Sequence, residues 1–138
     1  MSVEELFNRV EERLKSLAES IQGVRQVSVA ETGSFHSPRV FVWIRDGESI
    51  DSTITGRKRI HRWRFEYVID VVHPDPQKAY MEVKRIHWSL YDRLMEDRTL
   101  GGVAARVEPS AEFFREEVPA EKGYGHRWVM RVEVVVET

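Results

Sequence analysis

KRIHRWRFEYVIDVV, residues 58–72, is the stretch on which the fold turns. In it His61, Trp63, Phe65, Tyr67, Ile69 and Val71 alternate with Arg62, Arg64, Glu66, Val68, Asp70 and Val72. A period of two marks a half-buried strand, because successive side chains leave opposite faces of the pleat. The alternation is nearly strict at first. Towards the end both faces turn apolar, with Asp70 the interruption. Extended, a stretch of this length spans about 50 Å, well beyond the ~20 Å of an ordinary strand. The pattern predicts two parts. Tyr67 to Val72 sits within the sheet, and Lys58 to Phe65 is an arm, apolar on one side and basic on the other, awaiting a neighbour.

Downstream, Asp75-Pro76 is a helix start, with Asp at the N-cap and Pro in the first turn. Ala79, Val83, Ile86, Leu90 and Leu94 give the apolar stripe of a helix running to about Asp97, widened by Tyr80, His87 and Tyr91. Leu100-Gly101-Gly102 turns the chain. Val103 to Ser110 reads as a strand and Glu112 to Gly125 as a connection. Arg127 to Glu137 reads as a closing strand with Trp128, Met130, Val132, Val134 and Val136 on one face.

Upstream, Asp46 to Gly56 (DGESIDSTITG) is polar and rich in turn formers, which predicts a mobile loop or hairpin tip. Arg39 to Ile44 (RVFVWI) is dense enough in apolar residues for a central strand, and Val24 to Ala30 is a short one. Ser2 and Glu5 form a capping box for a first helix carrying Val3, Leu6, Phe7, Val10, Leu14, Leu17, Ala18 and Ile21 on one stripe, with Gly23 as its stop. The order is α-β-β-β-α-β-β. It predicts an α+β fold, a mainly antiparallel sheet with two packed helices and a long projecting hairpin over about residues 45–65. Residues 1–138 make one domain.

Composition narrows the classes. An apolar share of 41% with 32% charged residues describes a folded chain, and a formal net charge of -2 is less basic than a dedicated nucleic-acid binder. With no cysteine there is no disulfide, thiolate metal site or cysteine nucleophile. No apolar run approaches ~20 residues, and the first residues carry charges where a leader would be apolar, so neither a membrane span nor a signal peptide is expected.

The chemistry-bearing residues do not converge. His36, His61, His73, His87 and His126 show no ligand spacing. His61 and His73 lie about 40 Å apart on one strand, too far to share a metal. His87 is expected as a polar boundary residue over the sheet, and Asp70 and His73 point to opposite faces. Gly101 and Gly102 follow a helix and precede a strand, the reverse of a phosphate loop. No catalytic residues, metal or cofactor are expected. The basic run Arg57, Lys58, Arg59, Arg62 and Arg64 around Trp63 admits two readings. One is a patch that meets acidic residues of a neighbouring subunit. The other is single-stranded nucleic acid held by phosphate contacts and base stacking.

The opening helix, FEYVIDVVH, DPQKAYMEVKRIHWSLYDRLMEDRTLGG and the closing WVMRVEVVVE together resemble the tail terminator (tail completion, or head–tail joining) proteins of tailed bacteriophages and prophages. The match is one of element order over most of the chain and is strongest from Phe65 to Gly102. The resemblance implies a virion subunit without catalytic residues or cofactor. It implies a homo-oligomeric ring, typically a hexamer, that caps the tail tube and stops its polymerisation. Tail tube protein and a head connector or neck protein would be its partners, with DNA merely passing through. The loop from Asp46 to Lys58 would order on assembly, before which the subunit resides in the host cytoplasm. Arg57, Lys58, Arg59, Arg62, Trp63 and Arg64 are then candidate interface residues, and Leu100, Gly101 and Gly102 a helix–strand connector. The remaining alternative, a small-molecule enzyme, would need a deep pocket with convergent polar groups.

Overall fold

The computed structural model describes residues 1–51, 58–118, 120 and 122–138. The element order is α1 (Val3–Glu19), β1 (Gln26–Val29), β2 (Arg39–Asp51), β3 (Arg59–His73), α2 (Pro76–Glu96), β4 (Arg106–Val118) and β5 (Tyr124–Glu137). The fold is α+β, in the order expected. The strands form a five-stranded sheet, β1-β2-β3-β5-β4, antiparallel except for the β1–β2 pair.

Both helix starts follow their caps. The Ser2 hydroxyl accepts from Glu5 N, and the Asp75 carboxylate accepts from Gln77 N and Lys78 N ahead of Pro76. Each cap satisfies backbone donors that have no partner inside the helix, a contribution of about 1 kcal/mol. Both helices lie on one face of the sheet. Val10, Leu14 and Ala18 of α1 and Val83, Ile86, Leu90 and Leu94 of α2 join Trp63, Phe65, Tyr67, Ile69, Met130 and Val132 in one core. Tyr67 donates its hydroxyl to the Leu14 carbonyl at 2.6 Å, fastening α1 to the middle of β3. Full burial holds the Tyr67 phenol well above its usual pKa.

Three expectations change. Asp46–Asp51, expected in a loop, are the second half of β2, paired with Arg64–Arg59 of β3. Their polar character is answered across the ladder, where Arg64 meets both Asp46 and Glu48. Residues 52–57, the rest of the expected loop, lie outside the described residues. Second, the half-strand from Arg59 to Phe65 is no free arm, because β5 pairs with β3 from Ile60↔Glu137 to His73↔Tyr124. Trp63 and Phe65 are buried beneath Phe7 of α1, with ring centroids 4.9 and 5.4 Å away. Third, β4 continues to Val118, and a register shift between Pro109 and Phe113 re-aims its second half. The expected connection thereby shrinks.

No helix among the described residues is long and apolar enough to cross a membrane.

Candidate subunit interface

The basic run divides by strand parity. Lys58 and Arg59 are exposed at the start of β3, while Arg57 lies outside the described residues. Arg62 and Arg64 emerge on the sheet face opposite the helices, while Trp63, only 7% exposed, emerges on the helix side. The acidic partners of these arginines are intramolecular. Arg64 bonds Asp46 at 2.9 Å, Glu48 at 3.2 Å and Glu133 at 3.6 Å, and Arg62 reaches Glu133 at 4.0 Å. The Asp46 hydrogen bond raises the Arg64 pKa.

The same face holds an ionic cluster that sequence spacing does not reveal. Asp70 is fully buried. Its carboxylate accepts from Arg127 Nε at 2.7 Å, Arg127 Nη2 at 2.9 Å and Arg39 Nε at 2.9 Å, which joins β2, β3 and β5. Glu31 completes the cluster, 3.2 Å from Arg39 and 3.8 Å from Arg127. Arg39 also donates to the Ser34 carbonyl, pinning the link between β1 and β2. The Asp70 bonds raise the Arg127 pKa. The two guanidinium groups lie over the Phe41 ring at 5.3 and 5.7 Å, covering apolar area on a face that no helix shields. The signal in the sequence was Asp70 itself, a charge within an apolar run.

The histidines stay apart. His61 is bracketed by Ser49 Oγ and Thr138 Oγ1, and burial lowers its pKa. His73 Nδ1 accepts from Asp75 N at the mouth of α2. His87, expected at a boundary, is wholly buried among Trp88, Phe113 and Trp128 with neither ring nitrogen hydrogen-bonded among the described residues. Desolvation drives its pKa down to about 4. Leu100, Gly101 and Gly102 all have positive φ, and Gly101 N donates to the α2 C-cap residue Asp97. They make a compact connector, with the Leu100 side chain in the core.

Two surface features sit at the end of the sheet where α2 begins. One is an open groove of about 750 Å3 between the turn after α1, Pro38 and the first half of α2. Val71, Val72, Pro38 and Met81 supply apolar walls, and Arg25, Lys78, Lys84 and Arg85 supply four cations against the single carboxylate of Glu82. The other is the outer edge of β4, which has no neighbouring strand among the described residues and exposes Glu112, Phe114, Glu116 and Glu117. At the far end β2 outruns β1. The parallel pairing stops at Val29↔Val42, which leaves the outer edge of β2 beyond it without a strand among the described residues.

No family model matches the chain, and no curated protein matches it. Among solved structures it is similar to a chain in the virion of a native gene transfer agent particle, at 12% identity and a TM-score of 0.46, covering 96% of this chain and 92% of that one. It is also similar to the sheath/tube terminator, in the extended state, of an extracellular contractile injection system (PVC), at 13% identity and a TM-score of 0.39, covering 100% of this chain and 57% of that one.

Proposed function

We infer that the chain is a structural subunit of a phage-like tail, assembling into a closed ring on the end of the tail tube. The observation that carries this reading is the outer edge of β2 from Trp43 to Asp51, which has no partner strand among the described residues and offers a long row of backbone donors and acceptors to another chain. The opposite side of the sheet ends in a chemically different edge, β4. A head-to-tail contact between two different surfaces of the chain makes a ring when its rotation closes. The motifs that resemble tail terminators occupy α1, β3, α2, the Leu100-Gly101-Gly102 connector and β5, which make up the middle of the sheet and its helical cover.

In this reading the ring is a hexamer that stops tube polymerisation and presents its other surface to the head connector. It acts without catalytic residues or cofactor, and belongs to the virion tail after assembly in the host cytoplasm. Lys58 and Arg59, at the exposed hairpin end, join the contacts made on assembly. The nucleic-acid alternative loses its stacking platform, since Trp63 and Phe65 are core residues.

Size-exclusion chromatography with light scattering, followed by negative-stain imaging, tests the proposal on the chain alone and with its tube protein. A closed cyclic ring, and tubes of limited length in its presence, are the expected results. A chain that stays monomeric and never associates with tube subunits overturns it.

A further inference from the structure

We propose that the cationic groove beside α2 receives the acidic end of β4, residues 112–118, from a second copy of the chain. The inference rests on the ring reading and identifies surfaces that close the ring.

The groove asks for a ligand both apolar and acidic. Its walls are Val71, Val72, Pro38 and Met81, and its rim carries Arg25, Lys78, Lys84 and Arg85. Arg85 is paired with Glu82 at 2.7 Å, but Arg25 and Lys78 have no ion pair among the described residues. The end of β4 answers that description. Phe114 is 47% exposed and Val118 half-buried, and Glu112 and Glu117 are exposed without an ion pair among the described residues. Glu116 lies 3.8 Å from Arg127 with most of its carboxylate in solvent. A nucleic-acid strand would suit the rim but less well the walls, where among the described residues His73 is the one aromatic ring and no Phe, Tyr or Trp offers a base a broad stacking platform.

Register supplies the second argument. His73 faces Tyr124 and Val72 faces Gly125 across β3 and β5, and Gly125 faces Val118 across β5 and β4. The groove and the acidic edge therefore lie at one level of the sheet, on opposite sides of it. A cyclic ring needs the two halves of its repeating contact at the same height about the axis; unequal heights give a helical filament. Pro109, the register shift and the charges on β4 oppose strand addition there, so the contact runs through side chains.

The test is a charge exchange. Arg25→Glu with Lys78→Glu reverses the groove, and Glu112→Lys with Glu117→Lys reverses the edge. None of the four has an intramolecular ion pair among the described residues, and thermal unfolding verifies that each variant folds. Light scattering, with tube protein present if the wild type needs it, reads assembly. Each variant alone assembles at least ~10-fold more weakly than wild type, and an equimolar mixture of the two recovers, because every groove again meets an edge of opposite sign. The neutral pair Arg25→Gln with Lys78→Gln gives a smaller loss in the same direction and replaces the groove reversal should that not fold. A variant that assembles like wild type, or a mixture of folded variants that stays apart, overturns the inference and leaves the ring reading standing. Wild type that never assembles overturns both. A single-stranded oligonucleotide bound near physiological salt, and released by the groove reversal with assembly intact, reassigns the groove to nucleic acid and also overturns it.

Discussion

Arg127 holds Asp70 in a two-point grip, Nε to Oδ1 at 2.7 Å and Nη2 to Oδ2 at 2.9 Å, across the β3–β5 ladder. The pair is shared with Arg39, so one buried carboxylate fixes the relative position of β2, β3 and β5. Asp70→Ala leaves two arginines facing a buried gap and should cost roughly 3–5 kcal/mol. Arg127→Lys keeps the charge but loses the fork and should cost about 1 kcal/mol. Urea denaturation of the two variants checks both. An Asp70→Ala loss below that of Arg127→Lys would show that the cluster is not what joins the strands.

His87 sets an acid limit. Its pKa falls from 6.5 to about 4 on folding, so the unfolded chain binds the proton more readily between those values. The neutral ring's contribution is complete above about pH 7.5 and is lost as pH falls towards 4, with about 2 kcal/mol gone by pH 5. His87→Leu removes two buried nitrogens that have no hydrogen bond among the described residues, and should flatten that acid limb while raising stability at pH 7 by about 1 kcal/mol. Unfolding curves at pH 7.5 and 5 measure both effects. An unchanged acid limb would assign it to other groups.

Trp63→Ala distinguishes a core strand from an arm. Against Phe7 and His61, the lost indole should cost roughly 3–5 kcal/mol in thermal or urea unfolding. An arm residue would change assembly and leave the stability of the subunit within ~0.5 kcal/mol of wild type.

Tyr67→Phe tests the fastening of α1. Loss of the 2.6 Å bond to the Leu14 carbonyl should cost about 1–2 kcal/mol, with amide exchange in α1 rising more than in α2. Uniform exchange across both helices would refute a local role.

The sequence shows most clearly those parts of the fold that local periodicity controls. The alternation through Trp63, Phe65 and Tyr67, the Asp75-Pro76 start and the stripe of Trp128, Met130 and Val132 each report a buried face within a few residues. Asp46–Asp51 escape because their composition is that of a turn, and only Arg64 across the ladder makes them a strand. The second half of β4 escapes for the same reason, its charges masking a strand that Phe113 anchors by stacking on Trp128. Asp70 shows as an anomaly, yet its partners lie 31 and 57 residues away. The groove is assembled from four separate parts of the chain, and no spacing rule reaches that far.

The strand order has a kinetic consequence. β5 follows every other element in the chain yet lies between β3 and β4, and its β3 partners are 51 residues away at His73–Tyr124 and 77 at Ile60–Glu137. During synthesis β3 therefore emerges with its β5 side unclaimed, and the central ladder closes only after residue 137 has been added. Folding by such distant pairings is slow, and the waiting edge is the place where nascent copies would cross-pair and aggregate. Copies translated side by side on one message would be the most exposed to that hazard, and a holdase that masks β3 until β5 arrives would raise the yield of subunits competent to assemble.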